Sequence, residues 1–326
     1  MAARWVCRFI VEDPNMRVCD DTDAVKDGNL RAKPSLEENA LRKRTVVAAS
    51  LLTAIIVLYW LFAIPQIADV AIPDSIASIE RGRYLVDAGG CIGCHEGTEH
   101  PQSLSGGLAL ESEFGVYYVS NITPDNATGI GRWSGKDLLL ALKHGRNRES
   151  SFYYPAFPYP SYAGMTDQDV LDIGAYLMSL PAVEFTAPSH ELPFWLSRWT
   201  VAVWNKLAAM LQPRLPEEID PQLARGAYLA RHLGHCGECH TPRNTLGIPD
   251  LNREFAGAPL GDGDVEAIDA AALAKWTEED FVFLLSLGLK PDGEFIGGEM
   301  EKVVEHNTSK LTRTDQQAIA AFFKRR

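Results

Sequence analysis

Two stretches decide the reading of this chain: Arg81-Gly82-Arg83-Tyr84-Leu85, running on to Cys91-Ile92-Gly93-Cys94-His95, and Arg225-Gly226-Ala227-Tyr228-Leu229, running on to Cys236-Gly237-Glu238-Cys239-His240. Each ends in C-x-x-C-H, the attachment sequence of a c-type haem. Two thiols three residues apart on one turn can each form a thioether to a haem edge, and the next histidine then lies beneath the iron as an axial ligand. A single copy also arises as a redox or zinc pair followed by an unrelated histidine. Here the motif occurs twice and its Arg-Gly…Tyr-Leu lead-in recurs with it, as a short amphipathic helix delivering each cysteine pair would require. The residues therefore predict two covalently bound haem c groups on Cys91, Cys94, Cys236 and Cys239, with His95 and His240 as proximal metal ligands.

The chain has 326 residues, enough for two domains and an additional segment. Of its six cysteines the motifs use four, leaving Cys7 and Cys19 and no disulfide framework. The net charge is −12; residues 1–44 hold nine Lys/Arg against eight Asp/Glu, so the remainder carries 22 basic and 35 acidic side chains. That acidic body argues against nucleic acid as a partner.

Residues 1–44 show no sustained period and read as a poorly ordered cytoplasmic tail. Thr45–Ile64, TVVAASLLTAIIVLYWLFAI, is 20 residues without a charge, enough to cross a bilayer core of about 30 Å. It is longer than the apolar stretch of a signal peptide, and no small-x-small site follows before Pro65. Arg42-Lys43-Arg44 precedes it, whereas Asp69 and Asp74 follow. The positive-inside bias then predicts a single-pass anchor in lipid, with the N-terminus cytoplasmic and the haem part on the periplasmic side of a bacterial inner membrane.

The fold expected behind that anchor is mainly α, with two tandem class I-type cytochrome c domains at 75–185 and 217–326. In the first, Ser134 caps a helix with Asp137 at its third position, Tyr153–Pro160 forms a stiff aromatic strap, and Thr166 opens a helix reaching about Leu180, before Pro181. In the second, Trp276-Thr277 repeats the Trp133-Ser134 helix start and Leu311-Thr312 opens the last helix. Between them, 186–216 is a linker with an aromatic helix at 193–211, read as packing between the domains in preference to lying on a membrane.

The sixth iron ligands follow by elimination among six methionines. Met1 and Met16 precede the anchor, Met210 is in the linker, and Met178 lies in a helical stripe where core filling is the better reading. Met165 and Met300 remain, each at the end of an irregular segment, and a thioether would raise the reduction potential. His144 and His306 are the rival ligands; His100, His190, His232 and His235 read as surface or supporting residues.

These motifs, together with Asn121-Ile122-Thr123-Pro124-Asp125, Gly129-Ile130-Gly131-Arg132-Trp133-Ser134, Tyr159-Pro160-Ser161-Tyr162 and Met300-Glu301-Lys302-Val303-Val304, resemble the c-type cytochrome subunits of membrane-bound periplasmic dehydrogenases that oxidise alcohols, sugars, sugar acids or aldehydes. The resemblance covers about 78–326 and implies Met165 and Met300 as distal ligands. Many members of that family carry three haems, whereas this sequence shows two motifs, and the second half has Gly261-Asp262-Gly263-Asp264 where the first has its Asn-Ile-Thr-Pro loop. The implied role is electron transfer without catalysis of its own: single electrons from a periplasmic dehydrogenase, passed haem to haem toward a quinone, another cytochrome or a terminal oxidase. Alternatives are the dihaem subunit of a haem-copper oxidase, a dihaem peroxidase, which needs one displaceable ligand, and a haem-based gas sensor, which needs an output domain.

Overall fold

The computed structural model describes residues 7–9, 17–19, 36–213, 215, 218–260 and 263–325, so most of the expected N-terminal tail, and Gly261-Asp262, lie outside the described residues. Met1–Trp60 and Leu61–Arg326 form two compact units. In the smaller one, β1 (Cys7–Phe9) and β2 (Arg17–Cys19) pair antiparallel. Helix α1 (Leu36–Phe62) begins ahead of the apolar run because Leu36–Arg44 are good helix formers, so Arg42-Lys43-Arg44 are helical. Its Asn39–Phe62 stretch contains an 18-residue window with a mean hydropathy of 2.3 and is long and apolar enough to cross a membrane. A signal sequence near an N-terminus meets the same criterion.

Within 61–326 one order of elements occurs twice. The first set is α2 (Ile76–Ala88), α3 (Cys91–His95), the hairpin β3 (Ala109–Ser112)–β4 (Gly115–Tyr118), α4 (Gly135–His144), the single turn α5 (Tyr159–Tyr162) and α6 (Asp167–Ser179). After α7 (Arg198–Leu211) the second set follows: α8 (Pro221–Ala227), α9 (Gly237–His240), β5 (Ala258–Leu260)–β6 (Gly263–Val265), α10 (Glu278–Leu287), α11 (Glu299–His306) and α12 (Arg313–Arg325). The helix starts match the sequence reading: Ser134 with Asp137 and Thr277 with Asp280 form capping boxes, and the Thr166 hydroxyl accepts from the Asp169 amide.

In each set the first helix crosses the last at a glycine. A Cβ on Gly82 would lie 1.8 Å from the Asp172 carbonyl oxygen, and one on Gly226 2.0 Å from that of Ala318. The preceding arginine closes the crossing with a two-pronged ion pair, Arg81 to Asp172 at 2.7 and 3.2 Å and Arg225 to Asp315 at 2.9 and 2.7 Å. Burial alone would raise both carboxyls. Hydrogen bonds from the arginines, joined by Gln168 and Ser78 at Asp172 and by Tyr84 at Asp315, outweigh it and hold both below the usual value.

The two sets then grip each other reciprocally. Tyr84 donates to Asp315 (2.5 Å) and accepts from the Thr312 amide (3.3 Å); Tyr228 donates to Asp169 and accepts from the Thr166 amide (3.4 Å). A Cβ on Gly89 would sit 3.6 Å from the Leu233 carbonyl oxygen, and one on Gly234 3.8 Å from that of Ala88. One apolar cluster runs through both sets, from Leu85 and Met165 to Leu233, Phe255 and Phe322.

Three details were not legible in the sequence. The lead-in from arginine to first cysteine is one residue longer in the second set, and the extra residue is absorbed by a π-helical turn, Tyr228–Leu233, where the Gly234 amide bonds Leu229 (2.7 Å) while its counterpart Gly89 bonds Leu85 (2.8 Å). The aromatic strap contains one helical turn, α5, with Pro160 at a position that needs no amide hydrogen. The third is the antiparallel pairing of Ala109–Ser112 with Gly115–Tyr118.

Gly82→Ala should cost at least about 1–3 kcal/mol through overpacking. Gly297, where an added Cβ would meet nothing within 4 Å, should accept Ala within about 0.5 kcal/mol; urea unfolding of the two variants measures the contrast. Because the folded pKa values of Asp172 and Asp315 are depressed, their contribution is complete above the ordinary carboxylate value of about 3.9. It is lost as pH falls through the lower folded value. Asp172→Asn should therefore start less stable at pH 6 and show a shallower loss of urea midpoint on acidification than the unaltered chain.

Candidate functional site

Each C-x-x-C-H is one short helical turn, entered through a residue with left-handed backbone: Gly90 at φ 62° and His235 at φ 40°. Glycine takes this conformation freely, while at His235 it is strained, a cost of about 1–3 kcal/mol that surrounding packing must sustain. The His235 ring does pack, its centroid 5.5 Å from that of Tyr162.

The imidazoles are held the same way twice. His95 Nδ1 is 2.8 Å from the Ser120 carbonyl oxygen, and His240 Nδ1 is 2.7 Å from that of Glu266. A carbonyl only accepts, so Nδ1 carries the proton and Nε2 keeps its lone pair for a metal. Burial lowers both imidazoles, against the opposing pull of the carbonyl bond, and so favours the neutral ring a ligand must be. The main chain is fixed too: the His95 carbonyl accepts from Gly106 and the His240 carbonyl from Gly257, each at 2.9 Å.

Ser120 owes its place to the next residue. Asn121 is buried; its Nδ2 donates to the Val183 carbonyl (2.8 Å) and Thr128 Oγ1 (3.1 Å), and its Oδ1 accepts from the Thr123 amide and hydroxyl (2.9 and 2.8 Å). The Asn-Ile-Thr sequence is thus a buried brace. In the second set the carbonyl follows directly on β6.

Cys91, Cys94, Cys236 and Cys239 are free thiols. Burial, then the neighbouring Cys94 or Cys239, pushes Cys91 and Cys236 up to about 12. The two motifs lie side by side: Cys94 adds to the charge acting on Cys239, and Glu299 acts on both. Met165 is 2% exposed, three residues beyond Tyr162, whose hydroxyl is raised by burial and then by nearby Cys91 and Cys94. Met300 differs from the expected loop end. It lies in the first turn of α11, half-buried, and α11 touches α3 as well as α10. His144 ends α4 and His306 ends α11, His232 Nδ1 bonds the Ser161 carbonyl (3.0 Å), and His190 Nδ1 accepts from the Tyr118 amide (3.1 Å). Met178 packs against the core.

Sequence reasoning missed Ser120 and Glu266, whose side chains take no part. The available signal was position: 25 and 26 residues after the motif histidine, just past a strand.

Among the described residues no three or more His, Cys, Asp or Glu converge to hold a bare metal ion. Free thiol pairs on one turn, followed by an imidazole with Nε2 available, fit haem c. Residues 79–181 match the Cytochrome c family. A diheme cytochrome c-type protein of Cereibacter sphaeroides is 43% identical over 252 residues, covering 75% of this chain and 84% of that one. The chain belongs to the c-type cytochrome family. Its cofactor is covalently bound haem c, and electron transfer is the chemistry of the family. Further relatives are the gluconate 2-dehydrogenase cytochrome c subunit of Pantoea cypripedii, 38% identical over 76% of this chain and 59% of that one, and the cytochrome c subunit of the quinone-dependent alcohol dehydrogenase of Gluconobacter oxydans, 34% identical over 76% and 54%. This c-type cytochrome thus spans little more than half the length of those two subunits.

Asn121→Ala leaves the Thr123 amide without its acceptor and the Val183 carbonyl with only the Thr123 hydroxyl, at 3.2 Å. It should cost about 1–3 kcal/mol, read as a lowered urea midpoint of the haem-loaded protein.

Proposed function

We propose that this cytochrome carries two haem c groups in two tandem modules and moves single electrons from a membrane-associated periplasmic dehydrogenase toward a quinone, another cytochrome or a terminal oxidase. Cys91 and Cys94 hold one group and Cys236 and Cys239 the other; His95 with Met165, and His240 with Met300, are the axial pairs. Residues 45–64 anchor it in the inner membrane, with the N-terminus in the cytoplasm and the rest in the periplasm. The observation that carries this reading is the duplicated imidazole-to-carbonyl bond at two adjacent motifs. It prepares the same ligand twice. The relatives that are dehydrogenase cytochrome subunits support the donor, and the apolar length of α1 supports the anchor.

When bound, haem supplies reversible one-electron iron chemistry. The chain's own part is to bind and hold still. Ser120 and Glu266 fix the rings, Tyr162 and Met165 fill the space beside the first motif with buried, largely apolar surface, and the rigid crossings at Gly82 and Gly226 keep the ligands from reorganising when charge changes. A second reading rests on Met300, whose half-buried helical position makes it the easier thioether to displace, as a dihaem peroxidase would require.

Mass spectrometry should find two haem additions per chain. Met165→Leu and Met300→Leu remove the sulfur at nearly constant volume. Each should lower the potential of one haem and open it to carbon monoxide, whereas unaltered protein binds none. No carbon monoxide binding in either variant refutes the methionine assignments. A high-spin resting spectrum with peroxide turnover favours the second reading.

A further inference from the structure

Helix α7 is apolar on both sides. Its inward face carries Val201, Ala202 and Ala208, all buried, and Asn205, whose Oδ1 accepts from the Tyr159 hydroxyl at 2.6 Å. With about 100° per residue, Trp199, Val203 and Met210 fall together on the opposite face. There Trp199 is 65% and Met210 75% exposed, and Phe194, just ahead of the helix, is 98% exposed. The segment 194–211 contains two charged residues, Arg198 and Lys206. Arg198 is turned inward: it donates to the Phe152 carbonyl, and its guanidinium lies 4.9 Å from the Tyr154 ring centroid. An outward helical face with two tryptophans at its start and one lysine is poorly suited to water.

What covers it is indicated by where the apolar helix ends. Phe62, the last residue of α1, packs edge-on against Trp199 with centroids 4.3 Å apart, and against Phe152 at 6.3 Å. Arg146 donates to the Ala63 carbonyl (3.4 Å) and the Gly135 amide to that of Val70 (3.0 Å). The end of the apolar run and the outward face of α7 therefore meet at one place. At 14 residues, or about 21 Å, α7 is too short to cross a hydrocarbon core of about 30 Å.

We infer that α7 is an interfacial membrane helix, which lies in the headgroup region with Trp195, Trp199, Val203 and Met210 toward the acyl chains and pins the haem-bearing body to the bilayer beside its anchor. This rests on the reading of 45–64 as an anchor, and the test separates the two. Full-length haem-loaded protein is reconstituted in phosphatidylcholine–phosphatidylglycerol vesicles, labelled with a diazirine phospholipid that generates carbenes only within the bilayer, and mapped by peptide mass spectrometry. Phe295, 72% exposed and remote in sequence, supplies the internal reference. Residues 194–211 should take up at least tenfold more label than the peptide containing Phe295, alongside label on 45–62. Label on 45–62 with 194–211 at the reference level overturns the inference, leaves the anchor standing and assigns the face to a protein partner. Label on neither overturns both.

Discussion

An imidazole that binds iron through Nε2 must give its other proton to something that will not move. In this cytochrome the acceptor is a main-chain carbonyl, Ser120 for His95 and Glu266 for His240. A carboxylate there would make the ring a stronger donor and bring a charge to a partly buried site; a carbonyl fixes the tautomer at lower electrostatic cost. The consequence is that the surrounding loops must be rigid although they are not regular structure. The buried Asn121 brace, the glycine amides on the His95 and His240 carbonyls, and a hairpin before each acceptor all serve that end.

Rigidity between the two sets has a different source. Tyr84 and Tyr228 each reach across to the amino-terminal turn of the other set's last helix, where the acceptor is an aspartate and the donor an unpaired helix-start amide. Asp315 is then shared between Arg225 of its own set and Tyr84 of the other, so the ion pair that closes one helix crossing also closes the contact between sets. Asp172 in the first set makes no such bridge; Asp169, one turn earlier, takes Tyr228 instead. The two halves are thus similar in plan and unequal in wiring, which couples unfolding of the second crossing to loss of the contact.

Much of this was readable from residues because it is local. Helix caps at Ser134, Thr166 and Thr277, the cysteine turns and their histidines depend on neighbours in sequence. The carbonyl acceptors were not readable, since a main-chain oxygen leaves no residue signature. Neither was the adjacency of the two motifs. It arises where Gly89 meets Leu233 and Gly234 meets Ala88, and the glycines look like ordinary helix ends until the packing is seen. The π turn was hidden for a related reason: one inserted residue shifts nothing outside its own turn when a wider backbone ring takes it up.

Met300 shows how far elimination can mislead about the setting of a candidate residue. Counting methionines leaves it as the second-set candidate, but its equivalent by helix start is Leu311, which precedes Thr312 as Met165 precedes Thr166. Leu311 is buried in the core where Met165 is buried in the first set, so the second set keeps an apolar side chain at that position, and Met300 lies on α11 instead. There it neighbours Glu299, whose charge reaches the cysteines of both motifs. Because that charge reaches both motifs it does not set them apart, but more water reaches a half-buried thioether than a buried one. On the proposed axial pairs, the second-set iron should therefore hold its electron less tightly than the first.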